Sequence, residues 1–449
     1  MNKSRPRTGT LLRVLGVGFG IAVLVGNTIG SGILRTPGEV AGHLPSATLF
    51  LGVWVAGGIY ALLGSNALAE VSAMTRESGG YTVFVRRGLG PSFGFVAGWS
   101  DWLSSCTSAT AAAIVIGESI SALAGTAQST IIPFACAVLL AFTLIQWRGV
   151  RSASGTQNLT SVLKAIAFLL FVGICFAFAA PRTQGATIVA APSGVPLLIA
   201  LIFAMQAVIF TFDGWIGPAY FAGELRDPGR ELPRSIFGGV IAVIVIYLLV
   251  NLALLHVLPI ARLAHDPFAV GSSMAVIFGP HGDAVLRALV VLSLLSAINA
   301  YLMFTSRTFY ALSNQTGFAA GRRVNEGGTP TTGLLMSAAA ATLFLVSGTY
   351  NRIIAITAFL FVANYTFTYL SLFALRHREP DTPRPFRAWG HPWSTGFVLL
   401  VSVAFLVGAL VTDTYNSLAS IVLLLISYPI FRALNVKTLA ANGAADRDD

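Results

Sequence analysis

The stretch that decides the fold is residues 26–32, GNTIGSG, in the middle of an apolar segment that covers residues 14–42. A second stretch, residues 213–218 (DGWIGP), interrupts the apolar segment at residues 195–222. Glycine and proline are poor helix formers, and an aspartate inside an apolar run is costly in lipid. Both segments are therefore predicted to be membrane helices that unwind near their middle.

The two interrupted segments are the first and the sixth of a series, so they occupy matching positions of two halves. Broken helices at matching positions are typical of an inverted repeat, with the substrate site at the breaks. Glycines that only allow close helix packing are the alternative for one such stretch alone. The pairing, with an aspartate and a proline in the second stretch, favours unwound helices.

The composition places most of the chain in lipid. Of 449 residues, 55% are hydrophobic and only 10% are charged, against roughly 25% charged in soluble domains. The net charge of +10 comes from basic residues in short segments between apolar runs, which argues against nucleic acid binding. The three cysteines lie far apart inside apolar runs and are expected to be packing residues.

Twelve transmembrane helices are predicted from the hydropathy pattern. Their spans are 14–42, 46–72, 91–120, 130–147, 156–180, 195–222, 235–258, 283–312, 333–347, 352–375, 395–412 and 415–431. The first span is expected to remain as an uncleaved membrane helix because no signal-peptide cleavage site follows it. Residues 1–13 form the predicted N-terminal segment, 14–180 the first repeat, 195–376 the second repeat, 395–435 the last two helices and 436–449 the tail.

The arrangement of basic residues predicts the orientation. With the N-terminus inside, the even-numbered connections are cytoplasmic, and these carry Arg76, Arg86, Arg87, Arg148, Arg151, Arg226, Arg230, Arg234, Arg322, Arg323, Arg376, Arg378, Arg384 and Arg387. The opposite connections hold only Arg35, Arg182, Arg262, Arg287 and Arg352. This asymmetry follows the positive-inside rule and predicts a multi-pass protein of the cytoplasmic (inner) membrane with both termini in the cytoplasm.

An unwound membrane helix needs partners for its freed backbone groups. A zwitterionic amino acid can supply them, because its carboxylate can accept from the N–H groups near Gly30, Ser31 and Gly32 at the positive end of a half-helix. Its ammonium can donate to the carbonyl groups that the break leaves free. The breaks therefore favour an amino acid as the substrate.

At this point the sequence resembles a known family, the amino acid-polyamine-organocation transporters, and in particular their L-type amino acid exchanger branch. The resemblance covers nearly the whole chain. Its motifs are residues 26–33 (GNTIGSGI) with Pro37, 78–81 (SGGY), 90–91 (GP) through 98–99 (GW), 212–215 (FDGW), 224–228 (ELRDP) with 232–234 (LPR), and 384–387 (RPFR). Each motif is weak alone, but the ordered set is specific.

The resemblance implies a leucine-transporter-type fold, with a 5+5 inverted repeat, two further C-terminal helices, and helices 1 and 6 broken. It also implies site residues. Ser31 and Gly32 match carboxylate binders; the carbonyl groups of Thr28, Phe210 and Asp213 match ammonium acceptors; Phe210 matches an aromatic gate; and Asn299 and Tyr301 match positions that line the pocket.

Lys164 is a basic residue in the middle of a predicted span, where a charge costs at least ~2.5 kcal/mol unless it is paired or neutralised. By resemblance it matches a lysine whose ammonium stands near the helix 1 break, in place of the sodium ion of sodium-coupled relatives. A lysine that snorkels to the membrane interface is the alternative.

The acidic residues leave a second substrate class open. Asp213 lies inside a break, so it can either orient the break through local hydrogen bonds or pair with a cationic substrate side chain. By resemblance, Ile216 stands where arginine/agmatine exchangers have a gating glutamate, which argues against a polyamine specialist. Glu70, Asp101 and Glu118 also lie in or near spans, and solvated cavity or helix-end positions are expected for them.

The sequence therefore predicts a sodium-independent amino acid permease or exchanger, working by alternating access on small or mid-sized neutral L-amino acids. A polyamine or cationic amino acid antiporter is the alternative. A membrane-embedded enzyme would need paired acids, a histidine cluster or a Ser/Lys dyad, and a channel would need a repeated filter or a charged ring. No such pattern occurs, so neither catalytic residues nor metal ligands nor cofactors are predicted; the partners expected are an amino acid and the lipid bilayer, and a homodimer is compatible with the sequence.

Overall fold

The structure is a computed structural model that describes residues 11–30, 32–178, 193–264, 266, 268–346 and 350–445. Within these ranges the α-helices are α1 Val17–Thr28, α2 Gly32–His43, α3 Ala47–Ala73, α4 Tyr81–Leu89, α5 Pro91–Leu123, α6 Ile131–Trp147, α7 Val150–Phe178, α8 Val195–Thr211, α9 Pro228–Val257, α10 Ile260–Leu263, α11 Ala269–Phe278, α12 Gly282–Thr316, α13 Thr331–Val346, α14 Tyr350–Arg378, α15 Trp393–Thr412 and α16 Thr414–Ala445. Short 3-10 segments cover Gln128–Thr130, Gly217–Glu224, Gly279–His281 and Ala319–Arg322.

Most of these helices are suited to a membrane. Nine helices of the described ranges are long and apolar enough to cross one, and the bent pair α1 and α2 makes a tenth if it is a single span. Two shorter apolar helices, α8 and α13, overlap the predicted sixth and ninth spans. The prediction of an all-α membrane protein is confirmed, whereas the count of twelve and the inverted repeat stay predictions.

Both predicted helix breaks are present. The first break lies between the end of α1 at Thr28 and the start of α2 at Gly32, and the direction of the chain bends by 50° from α1 to α2. In the second, α8 ends at Thr211, a short turn follows, and the chain continues as the 3-10 segment Gly217–Glu224. Within that turn Gly214 has φ +123°, a backbone conformation that residues with a Cβ rarely adopt.

The broken helices are held by long, continuous ones. The two longest flanking helices, α5 and α12, pack along each other, while α9 packs against α1 and α3, and α7 against α1, α9 and α12. The α5 surface in these contacts is rich in alanine, serine, threonine and glycine, and such small residues let membrane helices approach closely. The breaks are therefore enclosed by a scaffold of unbroken helices.

Three short helices were not predicted from the sequence. They are α4, α10 and α11, with nine, four and ten residues. A window long enough to find a membrane span averages over elements of this length. The apolar α11 packs against α2, α9 and α12, so the connection before the eighth predicted span is folded onto the protein.

Glu70 lies in the last turn of α3, which agrees with the expected helix-end position, but it is fully buried rather than solvated. Its Oε1 lies 2.9 Å from Arg384 Nε and its Oε2 2.7 Å from Arg376 Nη2. Oε2 also accepts the backbone N–H of Ala388 at 2.6 Å. Because a buried carboxylate needs paired charges and donors, Glu70 fastens the end of α3 to the connection between α14 and α15.

Candidate binding site at the helix breaks

A cavity of about 260 Å³ lies at the two breaks. The broken segments α1–α2 and α8 form one side of it, while α5, α12 and α14 form the other. The site was predicted at the breaks of helices 1 and 6, and the cavity is lined by these two predicted helices together with α5, α12 and α14. Its lining along α2 continues to Arg35 and Glu39, on the side that the positive-inside pattern predicts to be extracellular.

The wall made by the first break includes Asn27, Thr28, Gly30 and Gly32. Because Gly32 starts α2, the first N–H groups of that helix have no partner inside it, and they lie at the positive end of its dipole. This is the arrangement expected to bind a carboxylate. Ser31, the third residue predicted for this role, lies outside the described residues.

The carbonyl groups freed at the end of α1 are bound by Lys164 and two serines. Lys164 Nζ donates to the Gly26 carbonyl at 2.7 Å and to the Ile29 carbonyl at 2.6 Å. Ser296 donates to the same Gly26 oxygen at 3.1 Å, and Ser293 to the Ile29 oxygen at 3.0 Å. The fully buried Lys164 side chain therefore does not snorkel to an interface, and its amino group stands directly against the break.

Tyr247 of α9 joins the two breaks. Its hydroxyl oxygen lies 2.7 Å from the Thr28 carbonyl oxygen and 3.0 Å from the Thr211 carbonyl oxygen. The Thr28 carbonyl, expected to accept from a substrate ammonium, thus already has one protein donor. A carbonyl oxygen has two lone pairs, so it can accept a second donor from a ligand.

Asp213 lines the cavity, and its carboxylate accepts a hydrogen bond from the Tyr365 hydroxyl. Its backbone N–H donates to the Phe210 carbonyl at 3.2 Å. In the ligand-free protein, Asp213 therefore orients the second break through local hydrogen bonds. Of the three carbonyl groups expected to take an ammonium, those of Thr28 and Phe210 each have a protein donor.

Of the remaining predicted residues, Phe210 and Tyr301 line the cavity and Asn299 does not. Phe210 lines the cavity with 39% of its surface exposed, and Tyr301 lines it from α12. Asn299 does not line the cavity: its amide nitrogen donates to Gln157 Oε1 at 2.9 Å and to the Ala153 carbonyl at 3.0 Å. It ties α12 to α7, so the expectation that Asn299 faces the pocket does not agree with its position.

Hydroxyl groups opposite the first break were missed by sequence analysis. Thr107 and Ser108 of α5 and Thr357 of α14 line the cavity, and the Thr107 and Thr357 hydroxyl oxygens are 2.7 Å apart. Thr36 and Thr211 form a similar pair at 2.6 Å. Serine and threonine are common packing residues in membrane helices, so a single sequence carries no signal that separates these from the others.

Asn27 and Thr28 carry a further indication of a polar ligand. Asn27 Oδ1 and Thr28 Oγ1 are buried, and neither has a hydrogen-bond partner in the part of the chain that the structure describes. Buried polar atoms normally have partners. Both residues line the cavity, so a ligand with N–H or O–H donors has acceptors there.

Comparison with known proteins identifies amino acid permeases and transporters as similar to this chain. Residues 15–428 match the family model described as amino acid permease. The chain is 24% identical over 435 residues to a serine/threonine exchanger, SteT, of Bacillus subtilis, covering 94% of this chain and 96% of that relative. It is 28% identical over 420 residues to the human Asc-type amino acid transporter 1, and 25% identical over 407 residues to the human b(0,+)-type amino acid transporter 1. These alignments cover 88% and 86% of this chain, and 76% and 81% of the relatives.

Proposed function

Because the chain belongs to the amino acid permease family, we propose that it is a sodium-independent permease or exchanger for small or mid-sized neutral L-amino acids. It would work by alternating access in the cytoplasmic membrane, with both termini inside and with residues 14–180 and 195–376 as the two repeats. The observation that supports this best is that both helix breaks line one cavity, which offers N–H donors at Gly30 and Gly32 and oxygens at Asn27 and Thr28 that have no partner among the described residues.

The size and chemistry of the opposite wall support small neutral substrates. Thr107, Ser108 and Thr357 supply hydroxyl groups there, and Ala111 and Ala297 leave room without adding charge. The names of the relatives, among them a serine/threonine exchanger, agree with such a substrate. We therefore propose serine and similar amino acids as the first compounds to test.

The proposed carboxylate site predicts that L-serine binds more tightly than two analogues that lack the carboxylate, L-serinamide and ethanolamine. L-serine is expected to raise the melting temperature of the purified protein and to compete for uptake. L-serinamide and ethanolamine lack the carboxylate, so each is expected to bind at least about tenfold more weakly, because a hydrogen bond to a charged group contributes about 1.5–3 kcal/mol. Thermal-shift assays of the purified protein and competition for serine uptake in proteoliposomes measure these relative affinities.

Gly30→Ala tests the same site from the protein side. Apart from its two chain neighbours, a Cβ at Gly30 meets no described protein atom within 4 Å, so the variant is expected to keep its ligand-free melting temperature while losing serine binding. Equal binding of L-serine and ethanolamine would contradict the carboxylate site and would favour a polyamine antiporter with Asp213 as the cation partner. Serine binding that is unchanged in Gly30→Ala would place the carboxylate elsewhere.

The proposed gate predicts a graded effect at Phe210. Phe210→Ala is expected to weaken binding about tenfold or more, because it removes an apolar contact and opens the cavity. Phe210→Trp keeps an aromatic surface and is expected to retain part of the affinity. Uptake kinetics measured over a range of serine concentrations distinguish the two variants, and wild-type kinetics for Phe210→Ala would rule the gate out.

A further inference from the structure

Asp101 of α5 is a carboxylate at the core of the protein, and the expectation of a solvated or helix-end position for it was wrong. Its side chain is fully buried. Oδ1 accepts the Tyr220 hydroxyl at 2.5 Å, and Oδ2 accepts the Thr308 hydroxyl at 2.9 Å. Asp101 therefore joins α5 to the 3-10 segment Gly217–Glu224 and to α12.

No cation neutralises this carboxylate: among the described residues no ion pair includes Asp101. Arg307, next to Thr308, is fully buried but is held by another acid. Its Nε and Nη2 donate to the two oxygens of Glu224 at 2.6 and 2.7 Å, and its guanidinium lies over the Phe221 ring at 4.6 Å. The Arg307 guanidinium thus already has a partner of opposite charge.

Among the described residues, no ion pair joins Asp101 to the other ionisable groups of the surrounding elements. These groups include Tyr81, Arg86 and Arg87 on α4, Cys106 and Glu118 on α5, Tyr220 and Glu224 on the 3-10 segment, Asp283, Arg287, Tyr301 and Tyr310 on α12, Tyr365, Tyr369, Arg376, His377 and Arg378 on α14, Tyr428 and Arg432 on α16, and Asp213 at the second break. Arg86, Arg87 and Arg376 are paired with Glu77, Glu379 and Glu70. The segments α6 and α13 carry no Asp, Glu, Lys, Arg or His.

The partners of Asp101 suit both protonation states. A charged carboxylate accepts from both hydroxyl groups, as in the structure. A protonated one can donate to either hydroxyl oxygen, because tyrosine and threonine hydroxyls are both donors and acceptors. Binding a proton here requires only hydroxyl rotation, and it removes an uncompensated charge from the membrane interior, which is otherwise costly.

Two serines of α5, Ser105 and Ser108, lie at helical spacing between Asp101 and the cavity and form the hydroxyl row of this proposal. They follow Asp101 at four and seven residues, so all three lie on one face of α5. Ser108 lines the cavity, and Ser105 is buried one helical turn from Asp101. The distance along the helix from Asp101 to Ser108 is about 10 Å at 1.5 Å per residue.

From this geometry we propose that Asp101 is a proton-binding site and that the protein carries a proton together with the amino acid. With the cavity open to the outside, a proton from cavity water passes along the hydroxyl row and forms an O–H bond on the Asp101 carboxylate. When the segment Gly217–Glu224 moves Tyr220 away, that O–H bond breaks and the proton passes to water on the opposite side. This inference rests on the proposed amino acid transport, because Tyr220 moves with the broken helix.

The test is serine uptake into proteoliposomes with and without an inward proton gradient. In the wild type, a gradient of one pH unit is expected to drive serine accumulation up to about tenfold for one proton per serine, and serine addition should acidify the vesicle interior. Asp101→Asn, which resembles the protonated acid in shape, is expected to bind serine but to lose both effects. Asp381→Asn, at an exposed loop position, is the control and should respond to the gradient as the wild type does.

A second measurement does not depend on transport. Infrared difference spectra of the purified protein across pH should contain a protonated-carboxyl band that is missing in Asp101→Asn and present in Asp381→Asn. Serine uptake without proton movement in the wild type would overturn the proton coupling and leave the proposed function intact. Infrared spectra of Asp101→Asn that equal those of the wild type across pH would overturn the proton site itself, whether or not any amino acid is transported.

Discussion

Replacing Lys164 by methionine is expected to slow amino acid exchange about a hundredfold while the protein still inserts into the membrane. The ammonium donates two short bonds to the Gly26 and Ile29 carbonyls, and hydrogen bonds to charged groups contribute about 1.5–3 kcal/mol each. Losing about 3 kcal/mol of support for the active geometry corresponds to roughly a hundredfold. Membrane insertion is expected to be preserved, because an apolar side chain inside the membrane favours insertion more than a charged one does.

Ser296→Ala is the matched control for Lys164. It removes a neutral donor from the same Gly26 oxygen, so its effect should stay within about tenfold. Exchange of labelled serine in proteoliposomes and the amount of folded protein in membranes give the two readouts. Wild-type exchange by Lys164→Met would show that the ammonium is dispensable at the break.

The same lysine underlies the proposed sodium independence. In this proposal the Lys164 ammonium would supply the positive charge that a bound sodium ion brings, so exchange is expected to persist when choline replaces sodium. A strict requirement for sodium in proteoliposomes would refute this role of Lys164.

The second large effect is expected for Gly214→Ala, which should abolish measurable serine binding. The φ of +123° at Gly214 is unfavourable for alanine, and strained backbone of this kind costs on the order of 1–3 kcal/mol. An added Cβ would also lie 2.6 Å from Thr28 Oγ1 and 2.8 Å from Asn27 Nδ2. The two breaks would have to separate to admit it.

Gly173→Ala is the matched control, because a Cβ at that α7 position meets nothing within 4 Å. Alanine is also the better helix former, so this variant should equal or exceed the wild type in melting temperature. Thermal shift with and without serine measures both variants. Normal serine binding by Gly214→Ala would mean that the close approach of the two breaks is not needed for the site.

Sequence analysis located the breaks correctly because their signals are local. A run of glycines, or an aspartate beside glycine and proline, ends a helix wherever it occurs, and an apolar context shows that the helix is in lipid. Lys164 was identified for the same reason, since a charge in the middle of an apolar span stands out. The position of Lys164 beside the first break came from the resemblance, and the structure places its ammonium there.

The direction in which buried side chains point could not be derived in this way. The helix α12 is buried on most sides, so its hydropathy has no period that marks a pocket-facing side. Asn299 therefore matched a pocket position in the sequence but bonds to α7 in the structure. Asp101 was expected to be solvated, because one sequence does not show that Tyr220 and Thr308 surround it.

The sequence by itself thus determined the membrane class, the family and the two points where helices unwind, all of which depend on composition and local motifs. Only the tertiary structure decided which groups bind the freed carbonyls, which hydroxyls face the cavity, and which acid is buried without a cation. Tyr247, which reaches the carbonyls of both breaks from α9, shows the reason. Its partners lie 219 and 36 residues away along the chain, and helix packing alone brings them together.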